Sequence, residues 1–137
     1  IKKFTDAKLL NLSSVICWGS GSPLREFLHV NDLAEAIIFT LEKWDPLDDN
    51  SPKDSKGNPL FHLNVGTGKD ISIKELAKKI ADIVKFDGEI LWDKNMPDGT
   101  PRKVLDIGRL KELGWESKID LNSGLTKTIN ALDISNF

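Results

Sequence analysis

The sequence predicts a mixed α/β fold. Short apolar runs of strand type alternate with amphipathic stretches of helical period, and Gly/Pro-rich turns punctuate the boundaries between them. The 137 residues amount to one domain's worth of chain.

Taken in order, Ile1–Leu10 reads as the tail of a helix, with Ile1 and Phe4 three apart among Lys2, Lys3 and Lys8. Ser14–Trp18 is a strand-type run, closed by the turn Gly19-Ser20-Gly21-Ser22-Pro23. Arg25–Val30 reads as a second strand. A capping-box spacing at Asp32 and Glu35 opens a helix whose apolar residues recur through Leu33, Ile37 and Leu41, ending near Trp44. Residues 47–59 are polar, with two prolines and a glycine, and form a surface loop.

Leu60–Val65 is mostly apolar, as expected of a strand covered on both faces. After the Gly66-Thr67-Gly68 turn, Ser72 and Glu75 form a second capping box. Ile73, Leu76, Ala77, Ile80, Ala81 and Val84 then give the cleanest amphipathic helix of the chain. Glu89–Asp93 is a short strand, Lys94–Lys103 a turn-rich loop, and Asp106–Leu113 a short helix stopped at Gly114. A last helix covers Leu121–Leu132, with Asp120 near its cap.

Composition bounds the function. Nineteen basic against twenty-one acidic residues give a net charge of −2, without the basic excess of nucleic-acid or anionic-membrane binders. No apolar run approaches the roughly 20 residues of a membrane span. The single cysteine, Cys17, cannot form an internal disulfide, so a cytoplasmic setting is expected. The only methionine is Met96 and there is no tyrosine. The first fact suggests a piece of a longer polypeptide. The second removes every mechanism that needs a tyrosine within this chain.

Few residues stand out for chemistry. His29 and His62 lack partners at metal-ligand spacing and read as structural histidines on strands, and Cys17 as a buried, inert thiol. Gly66-Thr67-Gly68 lies between a strand and a helix, the setting of a backbone anion cradle. It lacks both the dinucleotide fingerprint and the Walker spacing, so a tight turn is the preferred reading. Arg25 closes the turn that begins at Trp18. It is either a surface ion pair with Glu26 or a guanidinium fork clamping a phosphate beside an aromatic plane. In Pro97-Asp98-Gly99-Thr100-Pro101-Arg102-Lys103, two prolines restrict a loop that carries two cations and a hydroxyl acceptor. Composition alone favours an ordinary helix-entry loop there.

Three segments taken together carry a resemblance. Trp18-Gly-Ser-Gly-x-Pro-x-Arg25-Glu-Phe-Leu-His-Val-x-Asp32, Asn64-Val-Gly-Thr-Gly68 and Pro97-Asp-Gly-Thr-Pro-Arg-Lys103-x-x-Asp106 resemble the GDP-L-fucose synthase family. That family falls within the extended short-chain dehydrogenase/reductases acting on nucleotide sugars. The second segment and Arg-Glu-Phe-x-His-Val-x-Asp occur widely among those enzymes, whereas the first and third together are closer to the fucose synthases. Met96 and Asn31 depart from the family pattern, which commonly has lysine and aspartate there.

The resemblance implies the C-terminal, substrate-binding portion of an NADP-dependent enzyme. Such an enzyme epimerises GDP-4-keto-6-deoxy-D-mannose at C3 and C5 and reduces it at C4. The implied fold is the substrate-binding domain over residues 1–137 plus elements that complete a Rossmann-type sheet, Leu60–Val65 first among them. It implies substrate contacts at Trp18, Arg25, Asp98 and Lys103, with Arg25 on the diphosphate, and no catalytic residue in this chain. NADP and the Tyr-x-x-x-Lys set are expected on an N-terminal Rossmann domain of the same polypeptide, so this chain alone is expected to be inactive, and the parent a homodimer. Two alternatives stay open: another nucleotide-sugar epimerase or dehydratase, and a freestanding binding module.

Overall fold

The computed structural model describes residues 1–132, which form a mixed α/β chain of five helices and five strands among those residues. The elements are α1 (Lys2–Leu9), β1 (Ser14–Trp18), β2 (Leu24–Glu26), α2 (Val30–Lys43), β3 (Asp70–Ser72), α3 (Ile73–Val84), β4 (Glu89–Asp93), β5 (Arg102–Lys103), α4 (Gly108–Glu112) and α5 (Leu121–Asn130). Two compact units share them. One comprises Ile1–Arg25, Asp70–Lys103 and the segment from Leu121; the other comprises Glu26–Lys69 and Val104–Asp120.

In the first unit β1 and β4 pair in parallel, Ser14 opposite Glu89 through Trp18 opposite Asp93. Parallel neighbours need a crossover, and the segment between them contains α3. The Ser72 hydroxyl accepts the Glu75 N–H at 3.1 Å while the Glu75 carboxylate reaches back to the Ser72 N–H at 3.2 Å, so the expected capping box is complete. Lys85 closes the helix in the left-handed region at φ 56°. The apolar face of α3, Ala77, Ile80 and Ala81, packs with Phe4, Ala7, Val15 and Phe86 into one buried cluster. Phe4 and Phe86 meet edge to face, with ring centroids 5.8 Å apart. Pleating turns Val15 into this core and leaves Ile16 and Trp18 outward, so β1 is covered on one face. Cys17 is half-buried against the same cluster, and burial pushes its thiol up. A second sheet has the order β3-β2-β5.

In the second unit α2 packs Ala36 against Leu110 and Trp115, with Leu28, Phe39, Leu63 and Val65 around them. Asp32 is 1% exposed and accepts the Ile119 N–H at 3.0 Å. Lys118 bonds Glu35 at 2.6 Å, which holds its ammonium above the usual lysine range. The opposite face of α2 leaves Val30, Leu33, Ile37 and Leu41 in solvent. No helix among the described residues is long and apolar enough to cross a membrane.

Several expectations are corrected. The strand expected over Arg25–Val30 stops at Glu26, because His29 is the N-cap of α2 and its ring accepts the Asn31 N–H at 3.2 Å. His29 is therefore a cap and not a strand histidine, and the Asp32/Glu35 capping box gives way to it. Leu60–Val65 is not a strand: an extended run becomes one only beside a partner backbone, and neither sheet of the described residues includes it. Nor is the run covered on both faces, since Phe61 is 71% exposed. The loop expected over Lys94–Lys103 ends in a strand, β5. The short helix spans Gly108–Glu112, with Gly114 beyond it at φ 101° as its stop requires.

Candidate functional site

The first unit brings all four expected substrate contacts together. Trp18 ends β1 and is 65% exposed, and the Lys3 ammonium stands 5.5 Å from its ring centroid while donating to the Ile16 carbonyl. The turn then reverses the chain. Gly19 and Gly21 both hold φ 76°, where side chains are strained, and a Cβ on Gly21 would stand 2.6 Å from the Trp92 ring. The carbonyls of Gly21 and Pro23 accept the N–H groups of Lys74 and Ile73, which occupies the first donors of α3.

Past the turn, β2 and β5 run parallel with Leu24 opposite Arg102 and Arg25 opposite Lys103. Two cations thus sit side by side across a strand pair, where without an anionic partner they repel each other. Arg25 is half-buried, bonded to the Leu24 carbonyl at 2.6 Å, and its guanidinium lies against Gly99. Lys103 is exposed. Arg102 behaves differently: its guanidinium bonds Asp70 at 2.5 Å.

Asp98 faces the turn after Trp18. One carboxylate oxygen accepts the Ser20 N–H at 2.6 Å and the other the Ser20 hydroxyl at 2.7 Å. These bonds hold the Asp98 carboxyl below its ordinary range. Trp18, Arg25, Asp98 and Lys103 are therefore drawn from the end of β1, the paired strands β2 and β5, and the loop that precedes β5. Chemically this is an exposed aromatic plane, two neighbouring cations and an ionised hydroxyl acceptor, with no nucleophile or general base among them.

The second unit has its own polar centre, which the sequence did not point to. Glu26 does not pair with Arg25 as an ion pair would require. Its carboxylate accepts the backbone N–H groups of Thr67 and Gly68 (2.6 Å to Gly68) and of Leu105 (2.8 Å), together with the Thr67 hydroxyl. These bonds outweigh the opposing desolvation, which is the largest single influence, and lower its pKa. Gly66 leaves no room for a Cβ against that carboxylate, and Gly68 holds φ 67°. The Gly-Thr-Gly turn is thus an anion cradle occupied by the protein's own carboxylate. The one signal available was that a cradle of backbone donors requires an anion; which of 21 acidic residues supplies it depends on the fold. His62 lies in this unit too, lining a cavity of about 150 Å³ with Asn64, Asp106 and Arg109.

Comparison with known proteins gives the wider setting. The model of the NAD dependent epimerase/dehydratase family matches residues 1–54. Over 128 residues the chain is 44% identical to a probable GDP-L-fucose synthase 1 of Oryza sativa subsp. japonica, covering 93% of this chain and 35% of that protein. It is 45% identical over 132 residues to the GDP-L-fucose synthase of Escherichia coli K12, covering 93% of this chain and 39% of the other. Among solved structures, a GDP-mannoheptose C4 reductase from Campylobacter jejuni with NADP bound superposes with a TM-score of 0.78 at 33% identity, over 94% of this chain and 41% of that one. The similarity to fucose synthases therefore runs through nearly the whole chain, as the three motifs implied. The family model, however, matches the N-terminal region of the chain and not its C-terminal part. The expected C-terminal label is replaced by what the comparisons give: the chain spans a little over a third of the length of these relatives.

Proposed function

We propose that the chain is the GDP-sugar-binding part of an NADP-dependent epimerase/reductase of the GDP-L-fucose synthase type. The observation that carries this reading is the register of Arg25 opposite Lys103, two cations on neighbouring strands, with Asp98 in the loop before β5 tied to Ser20, two residues beyond Trp18. A diphosphate relieves their repulsion. The guanidinium fork suits paired phosphate oxygens and the lysine acts as a point charge. Trp18 offers its face to a ring of the ligand, and Asp98 accepts a sugar hydroxyl. These four residues bind and orient; their contribution to rate is positioning.

The chain's own residues do not fit the dinucleotide. The Gly66–Gly68 turn has two of its N–H groups on Glu26, and the chain has no dinucleotide fingerprint. NADP belongs, in this reading, to a part of the parent polypeptide outside these residues, as does the tyrosine that handles the keto oxygen. The parent is a homodimer by the same resemblance. No step through the cofactor is assigned to this chain, and alone it turns over no substrate.

Calorimetric titration of the 137-residue chain with GDP-L-fucose, UDP-glucose and dTDP-glucose tests the reading. The expected order places GDP-L-fucose first. Arg25→Ala should weaken it by about 10-fold or more, the size of a charge-assisted hydrogen bond. Preference for a uridine or thymidine sugar, or unchanged affinity in Arg25→Ala, overturns it. The similarity to a GDP-mannoheptose reductase favours a second reading in which the sugar is another GDP-hexose or heptose. Tighter binding of GDP-mannoheptose than of GDP-L-fucose would select it.

A further inference from the structure

We propose that Ser20 is a positioning residue of this site: its backbone N–H and hydroxyl grip the two oxygens of Asp98 and set that carboxylate to receive the sugar. The inference rests on the GDP-sugar reading above.

The direction of the hydrogen bonds follows from counting protons. A serine hydroxyl has one, and the Ser20 oxygen lies 2.7 Å from Asp98 Oδ2 and 2.8 Å from the Ser22 hydroxyl. A bond to an ionised acceptor is the stronger, so the Ser20 proton goes to Asp98. Ser20 Oγ then accepts from the Ser22 hydroxyl and from the Ser22 N–H at 3.1 Å. The relay runs Ser22 to Ser20 to Asp98, and every donor in it points toward the carboxylate. With the Ser20 N–H, the Ser20 hydroxyl and the Gly21 N–H directed at it, the carboxylate has at least one of its four acceptor directions left for a ligand hydroxyl.

The geometry admits little else. At Gly19, adjacent to Ser20, a Cβ would collide with the Asp98 carboxylate, and φ of 76° already excludes most side chains without strain. Gly99, next to Asp98, lies against the Arg25 guanidinium. The clasp between Ser20 and Asp98 therefore joins the loop after Trp18 to the loop before Lys103, and both loops carry proposed contacts. Without the Ser20 hydroxyl, Asp98 keeps only backbone N–H partners, from Ser20 and more weakly from Gly21, and loses the bond that fixes its second oxygen. Recognition of the sugar should suffer while Arg25 and Lys103 still hold the diphosphate.

The test compares the full chain with Ser20→Ala and Ser20→Thr. GDP-L-fucose and GDP are titrated by calorimetry, and the Asp98 carboxyl is titrated by carbon-13 NMR. Ser20→Ala should weaken GDP-L-fucose by about fivefold to tenfold and GDP by less than about twofold, in line with one lost hydrogen bond. Its Asp98 midpoint should move up toward the ordinary aspartate range, and Ser20→Thr should restore both readouts. Equal weakening of GDP and GDP-L-fucose would mark a merely structural role and overturn the proposal. Unchanged GDP-L-fucose affinity, or an Asp98 midpoint that does not move, would overturn it as well. Failure of the unsubstituted chain to bind GDP overturns the GDP-sugar reading and this inference with it, whereas binding that Ser20→Ala leaves intact sinks this inference alone.

Discussion

Glu26 accepts the backbone N–H of Leu105 at 2.8 Å, across 79 residues of chain. The same carboxylate holds Thr67 and Gly68. One side chain thus ties three stretches of the second unit: the segment leaving β2, the glycine turn and the segment leaving β5. A carboxylate with three backbone donors is favoured in its charged form, and its pKa lies below the ordinary glutamate value of 4.5.

The linkage follows from that direction. A depressed folded-state pKa contributes stability that is fully present above 4.5 and is lost as pH falls through the folded value. Urea midpoints measured from pH 7 down to about pH 3 should therefore drop, and Glu26→Gln should flatten the part of the slope below pH 4.5. At pH 7 the substitution should cost about 1.5–3 kcal/mol, the range for hydrogen bonds to a charged group. A Glu26→Gln variant with the parent's pH profile would remove Glu26 from the acid transition.

Gly19 and Gly57 provide a matched pair. Both hold positive φ, 76° and 82°, but a Cβ at Gly19 runs into Asp98 while nothing lies within 4 Å of one at Gly57. Gly57→Ala should cost only the backbone strain, about 1–2 kcal/mol. Gly19→Ala carries the same strain plus displacement of Asp98, so it should be the more destabilising and should also weaken GDP-L-fucose. Thermal denaturation of the two variants side by side checks the order, and equal losses would mean that Asp98 yields without cost.

What the sequence made legible was local. β1 and β4 have the boundaries their apolar runs suggested, Ser14–Trp18 and Glu89–Asp93, and the Ser72/Glu75 capping box needs only residues three apart. What it hid was set by distant partners. β5 is two residues long and exists only because Leu24 and Arg25 lie beside it, so no period could announce it. Leu60–Val65 has strand composition but no strand beside it, and Leu63 and Val65 instead pack under Leu110 and Trp115. His29 caps α2 because its ring nitrogen reaches an N–H two residues on, an option its neighbour sequence Val-Asn-Asp also offered to Asp32. Asp32 was withdrawn from capping by the Ile119 N–H, 87 residues away. For the proposed site, residue types and motifs singled out Trp18, Arg25, Asp98 and Lys103 as candidates, while the pairing of Arg102 with Asp70 and the clasp of Ser20 on Asp98 were matters of register and loop approach.

Phe4 on α1 and Phe86 between α3 and β4 anchor the core of the first unit, 4% and 8% exposed. Each truncation to Ala should cost about 3–5 kcal/mol through lost burial and the cavity left behind. Their edge-to-face contact adds a shared term. A double-mutant cycle in urea should return a coupling of about 0.5–1.5 kcal/mol, and additive losses would show that the two rings merely share a core.

Arg102 and Lys103 are adjacent cations with opposite engagements, and this separates charge from site. Arg102 spends its guanidinium on Asp70, with 62% of its side chain exposed, so that bridge should contribute at most about 1 kcal/mol to stability. Lys103 stands exposed opposite Arg25, and in the proposed reading it meets the diphosphate. Removing either side chain lowers the net charge by the same amount, so nonspecific attraction to a diphosphate would fall equally in Arg102→Ala and Lys103→Ala. If the register sets the site, only Lys103→Ala should lose GDP affinity, by about 10-fold, the strength of one charge-assisted contact. Raising salt should then weaken binding less steeply in Lys103→Ala than in the parent, because one cation fewer meets the phosphates. Equal losses in the two variants, or a larger one in Arg102→Ala, would move the diphosphate away from the Arg25–Lys103 pair.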